Sequence, residues 1–252
     1  MARLPHSVTL DLDGGSLNLR DAERILRGQV ERLAIAPAAR KRVEQARRCV
    51  EDLLASGATL YGVNTGFGKL ANQRIEAHEV LALQENLLRS HAVGMGTLLS
   101  IPVSRLALAL RIQALVKGYS GVTLALVETL LEMYNRGVVP AIPEQGSVGA
   151  SGDLAPLAHL ALVVMGEGHA FVTRPARGAG AGKRPRPVSG RAALKRVRLA
   201  PHRPLAKEGL ALINGTQIST AVLADALIRA RQLARVADIA GALTVEATKS
   251  SQ

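Results

Sequence analysis

Apolar positions along the chain recur mostly at helical spacing. Residues 8–12 alternate as a short strand would, and residues 19–26 follow as a short helical pattern. Pro37 suits a first helical position. After it Val43, Ala46, Val50, Leu53 and Leu54 share one face, and Gly57 is a natural stop. Residues 76–89 read as a helix with Ala77, Val80, Leu81, Gln84, Leu87 and Leu88 on its inner stripe. Strong helices are predicted over 102–117 and 123–135, a further one over about 153–165, and a long one from 216 to about 248. Four breaks interrupt the pattern: "YGVNTGFGKLAN" at 61–72, "HAVGMG" at 91–96, the stretch around Gly149, and "INGTQ" around Asn214.

Composition supports the helical reading. Hydrophobic residues make up 48% of the 252 and aromatics only 2%, with no Trp. The core must be built from Leu, Val, Ile and Ala, which suits packed helices better than a sandwich or barrel. The fold class expected is mainly α with a minor short-strand element. Residues 1–172 are read as one domain, 173–207 as a flexible basic insertion, and 208–252 as the start of a long-helix bundle. Cys49 is the single cysteine, so no intrachain disulfide is possible, which fits a reducing cytoplasm. The N-terminus lacks a signal-peptide core, and the apolar run at 154–166 is too short to span a bilayer. A soluble, cytoplasmic protein without membrane partners is expected.

The net charge of +12 invites a nucleic-acid reading, but its location weakens it. Eleven Lys or Arg and no acid lie between Arg174 and Lys207, leaving 21 basic and 20 acidic residues elsewhere. That segment has no interleaved aromatics, so base stacking is not expected. Salt-sensitive contact with an anionic surface or nucleic acid stays open as a second class of function.

Candidate chemistry concentrates in "GSVGASGDLAPLAH", residues 146–159. It is not a nucleophile elbow, because Asp153 stands where that pattern needs Gly. "GFGKLA" lacks the spacing of a phosphate loop, and the six histidines show no metal-binding pair. The Gly152 amide nitrogen could instead attack the Ala150 carbonyl carbon and close a five-membered ring. Glycine leaves that nitrogen unhindered and tolerates strained angles. Loss of water from the ring and from the Ser151 hydroxyl would leave a conjugated methylidene, a carbon electrophile that no natural side chain supplies. The plain alternative is that Ser151 or Asp153 caps the following helix.

The company this tripeptide keeps makes the pattern specific. "GSVGASGDLAPLAHLAL" resembles the signature of the histidine and phenylalanine ammonia-lyase family. "YGVNTGFGKLAN" resembles that family's catalytic tyrosine loop, "SHAVGMG" its selectivity loop and "EGLALINGTQ" its asparagine loop, all in the family's order. The resemblance implies the N-terminal part of the ammonia-lyase/fumarase-like helical fold. It implies that Ala150, Ser151 and Gly152 form 4-methylideneimidazol-5-one (MIO), with no metal and no nucleotide. Asp153 would position the turn, Tyr61 would take the substrate β-proton, His91 would contact the substrate side chain, and Asn214 would hydrogen-bond the ring or the substrate amine. No catalytic role falls to His159 or Gln217.

The implied reaction is deamination of L-histidine to trans-urocanate and ammonia. A tyrosine or phenylalanine ammonia-lyase or aminomutase is the alternative within the family. The resemblance also implies a homotetramer, with sites shared between subunits. The chain ends inside a long helix where family members continue, so an inactive fragment, or a half needing its complement, is a further expectation.

Overall fold

The computed structural model describes residues 8–66, 75, 79–149, 152–173 and 185–250. At the N-terminal end β1 (Val8–Leu12) and β2 (Val30–Ile35) pair in parallel, with Leu10 opposite Leu33 and Leu12 opposite Ile35. Between them runs α1 (Leu19–Leu26). Asn18 starts this helix with a capping box: its side chain accepts the Arg20 and Asp21 N–H groups while Asp21 reaches back to the Asn18 N–H. α2 (Pro37–Ala55) begins on proline and stops before Gly57, which sits at φ +78°.

The centre is α4 (Ile101–Leu115), started by Ser100, whose hydroxyl accepts the Val103 N–H. Leu106, Leu108 and Ile112 are fully buried, and almost every face of the helix meets another element. Around it pack α1, α5 (Leu124–Asn135) and the start of α9 (Gln217–Thr248). Asn135 ties α5 to the outer strand by exchanging two hydrogen bonds with the Leu33 backbone. Against one another pack α3 (Val80–His91), α6 (Leu154–Val164) and α8 (Glu208–Ile213).

Short strands fasten the loops. β3 (Met95–Leu98) runs antiparallel to β5 (Pro143–Gln145), which sets the 91–96 break beside residues 143–149. β4 (Val138–Pro140), β6 (His169–Val172) and β7 (Val188–Ser189) make a second small antiparallel sheet.

The mainly helical class holds, and α1, α5, α6 and α9 fall where periodicity predicts them. β2 to β7 were not expected. The expected basic linker differs too. Residues 174–184 lie outside the described residues; the chain from 185 to 250 has regular structure. It forms β7 and then α7 (Gly190–Arg196), which buries Ala193 and Leu194 between its basic positions. Two buried apolar residues among many charges left no visible period in the sequence.

α9 changes environment along its length. Ile218 and Ala221 are buried, whereas Leu223, Leu233, Val236, Ile239 and Leu243 are exposed. By length and composition alone the stretch Glu208–Thr248 is apolar enough to cross a membrane, a test that the core helix of a soluble protein also passes. The backbone breaks between α8 and α9, however, and α9 carries Asp225, Arg229, Arg231, Arg235 and Asp238.

Candidate active site

The turn before α6 is shaped by glycines. Gly149 has φ +67°, and a Cβ on Gly146 would stand 3.3 Å from the Gly94 backbone and 3.2 Å from Ala155. Ala150 and Ser151, on which the expected ring depends, lie outside the described residues. The two residues after them are buried.

Asp153 occupies the N-cap position of α6, yet its side chain makes no cap there. The carboxylate instead accepts the Ser147 hydroxyl at 2.6 Å and the Ser219 N–H at 2.8 Å, and also bonds the Ser219 hydroxyl. Ser219 is in the first turn of α9, so Asp153 begins one helix with its backbone and satisfies the exposed donors of another with its side chain. The positive ends of both helix dipoles meet at this carboxylate. Simple capping of α6 is therefore the wrong account of Asp153.

The Asn214–Gly215 junction between α8 and α9 is the other wall. Gly215 O accepts the Asp153 N–H at 2.7 Å. A Cβ on Gly152 would fall 3.1 Å from Gly215 N and 3.2 Å from Asn214 Oδ1, so the two backbones meet closely enough that a side chain would have to push one of them back. The structure thus brings together Gly152, Asp153 and Asn214, three of the residues singled out in the sequence. Arg111, on α4, reaches the same junction. Its Nη1 donates to Asn214 O at 3.2 Å and to Gln217 Oε1 at 2.7 Å. Burial lowers its guanidinium to about 10.

His91 ends α3. Its Nδ1 lies 2.9 Å from the Leu87 carbonyl oxygen, which can only accept, so the proton sits on Nδ1. In the neutral ring Nε2 is then the acceptor. The break after His91 is held by His159 on α6, whose Nε2 accepts the Gly94 N–H at 3.0 Å. Burial, and second the nearby His169, hold the His159 imidazolium below its ordinary value.

Tyr61 lies in the turn at 60–66, with its side chain largely exposed. Residues 67–74 of this loop lie outside the described residues. Gln84, fully buried on α3, links the turn to the rest: its Nε2 donates to Gly62 O at 3.4 Å and its Oε1 accepts the Gly209 N–H at 2.9 Å.

α8 itself is fixed by the buried Glu208, which accepts from the backbone and hydroxyl of Thr123, from Leu205 N–H and from His202. Burial pushes the Glu208 carboxyl up, and the donors from His202, Thr123 and Leu205 outweigh it, leaving it below the usual range. Among the described residues no group of three or more His, Cys, Asp or Glu could hold a metal ion.

Sequence reading gave no part to Arg111, Gln84, Ser147, Ser219, His159 or Gln217. A charged or polar residue on an otherwise apolar stripe was the available signal for Arg111 and Gln84. The two serines carried none.

These features define a class: a mainly α protein whose candidate chemistry sits on loops pinned at helix N-termini. The chain belongs to the aromatic amino acid lyase family, whose model matches residues 17–252. It is 50% identical over 238 residues to the histidine ammonia-lyase of Anaeromyxobacter sp. (strain K), covering 94% of this chain and 46% of that protein. The histidine ammonia-lyase of Stigmatella aurantiaca is 48% identical, with 94% and 44% covered. The crystal structure of histidine ammonia-lyase from Trypanosoma cruzi superposes with a TM-score of 0.84 at 37% identity, over 97% of this chain and 45% of that one. Tyrosine aminomutase from Streptomyces globisporus also superposes at 0.84, with 32% identity over 95% and 43%. The chain spans less than half the length of the curated relatives it matches.

Proposed function

We propose that the chain is the MIO-forming half of a histidine ammonia-lyase, and that the full-length protein converts L-histidine to trans-urocanate and ammonia. One observation carries the reading: Gly152 packs so closely on the Asn214–Gly215 junction that a Cβ would have to push its neighbours aside, while Asp153 is bonded from three sides. That is a rigid seat for a tripeptide whose backbone must react with itself. Similarity to histidine ammonia-lyases at 48–50% identity supports histidine as the substrate.

Once closed from Ala150, Ser151 and Gly152, the ring supplies the carbon electrophile that side chains lack. The remaining work belongs to ordinary residues. Asp153 keeps the turn in register with α9. Asn214 presents its side-chain amide beside Gly152 to hydrogen-bond the ring or the substrate amine. His91 offers Nε2 as acceptor to the N–H of a substrate imidazole. Tyr61 removes the β-proton as general base. The substrate carboxylate and the rest of the pocket fall to the portion of the full-length protein beyond this chain.

The same reading has the full-length protein as a cytoplasmic homotetramer; the exposed apolar positions of α9 support only that this helix is covered by further protein. A separate anion-binding role for the basic stretch is not favoured, since its described part folds on α6 and β6.

Intact mass is the test. The purified chain is expected to lack two waters relative to its sequence, and Ser151→Ala to keep them. Full-length protein given L-histidine is expected to produce urocanate, and given L-tyrosine no coumarate. An unmodified mass in both chains would overturn the reading.

A further inference from the structure

Arg111 is a charge where the fold has no evident need of one. It lies in the middle of α4, 2% exposed, between Leu108, Ala109 and Ile112, which are fully buried. Among the described residues it forms no ion pair, and its Nε is buried without a hydrogen-bond partner. Desolvating a guanidinium without a counter-charge is expensive, and a well-packed apolar side chain is the cheaper filling for such a position. What the charge obtains in return is two acceptors, Asn214 O and Gln217 Oε1, on either side of Gly215. A Cβ on Gly215 would overlap both Arg111 Nη1 and Gln217 Oε1, so with any larger residue there these two side-chain ends would have to shift from the positions they hold.

The junction is the surface on which the reactive tripeptide ends. Gly215 O holds the Asp153 N–H, and Gly152 packs on Gly215 N and Asn214 Oδ1. A continuous path therefore runs from Arg111 through Asn214–Gly215 to Gly152–Asp153. Resting on the function proposed above, we infer that Arg111 is a positioning residue for ring closure, stiffening the Asn214–Gly215 wall against which Gly152 must be held.

In that closure the Gly152 nitrogen forms a bond to the Ala150 carbonyl carbon. The carbonyl oxygen leaves as water with protons from the two amide nitrogens of the ring. The Ser151 Cα–H and hydroxyl leave as the second water, forming the methylidene double bond. Nothing is oxidised or reduced, so no co-reactant is needed. The step asks only that two backbone atoms be pressed together, and a yielding wall would let the turn relax away from that approach.

The experiment is a mass time course on the full chain made by cell-free synthesis, with folding followed by circular dichroism. The native chain should lose two waters. Arg111→Lys and Arg111→Met should lose them about a hundredfold more slowly at temperatures where both are folded. Gln217→Ala, which leaves the guanidinium one acceptor, should fall between them and the native chain. A merely structural role would lower the melting temperature and leave that rate unchanged. If Arg111→Met fails to fold, Arg111→Lys and Gln217→Ala decide. Folded variants that lose two waters at the native rate would overturn the inference and leave the proposed function standing. A native chain that keeps both waters would overturn the two together.

Discussion

Asp153 shows how much one buried carboxylate can organise. It joins the 146–149 turn, the start of α6 and the first turn of α9, through donors 6 and 66 residues away. Asp153→Ala removes these charge-assisted bonds and leaves the Ser147 and Ser219 donors unpaired. Denaturant unfolding should show a loss of about 3 kcal/mol. Gly152→Ala tests the other side of the seat. Its Cβ must push on backbone atoms at 3.1 and 3.3 Å, so the wall or the turn has to move. We expect this variant to keep both waters in its intact mass while remaining folded. The family resemblance in the sequence singled out the aspartate as one expected to position the turn. Its partners were not legible there, because a serine in a helix and a serine in a loop look alike until the chain is folded.

Pairs of elements are held at their contacts by equally local devices. α3 and α8 approach so closely that a Cβ on Gly209 would lie 2.8 Å from the Gln84 carbonyl oxygen. Gly209→Ala should therefore cost about 2 kcal/mol in unfolding experiments, since backbone has to shift. The link between α6 and the 91–96 break depends on pH. His159 accepts the Gly94 N–H only while Nε2 is unprotonated, and its folded value is depressed below the ordinary 6.5.

As pH falls, the unfolded chain takes up this proton first. The contribution is complete above the ordinary value and is lost as pH falls through the lower folded one. Melting temperature in a pH series should decline across that window, and His159→Gln should flatten the decline. Periodicity predicted most of these helices to within a few residues. It missed β2, because "VERLAI" buries Val30, Leu33 and Ile35, a spacing that follows neither strict alternation nor a helical period.

For the molecule as a whole, α9 is the unfinished part. Its beginning is packed on α4, while Leu233, Val236, Ile239 and Leu243 form an exposed stripe of a kind that monomers rarely keep. The chain alone should self-associate as concentration rises, and Leu233→Glu with Leu243→Glu should return it toward one copy, as read by sedimentation. By itself the sequence determined the helices, whose periodicity is a local property. It also determined the order of the four loops and singled out Ala150–Ser151–Gly152 as the tripeptide proposed to close on itself. Only the tertiary structure decided that Asp153 serves α9 rather than capping its own helix, that Gly152 is walled by Gly215, and that Arg111 stands behind that wall. Such contacts join residues far apart in the chain, so no local spacing encodes them; they exist only once packing has brought distant backbone within hydrogen-bond reach.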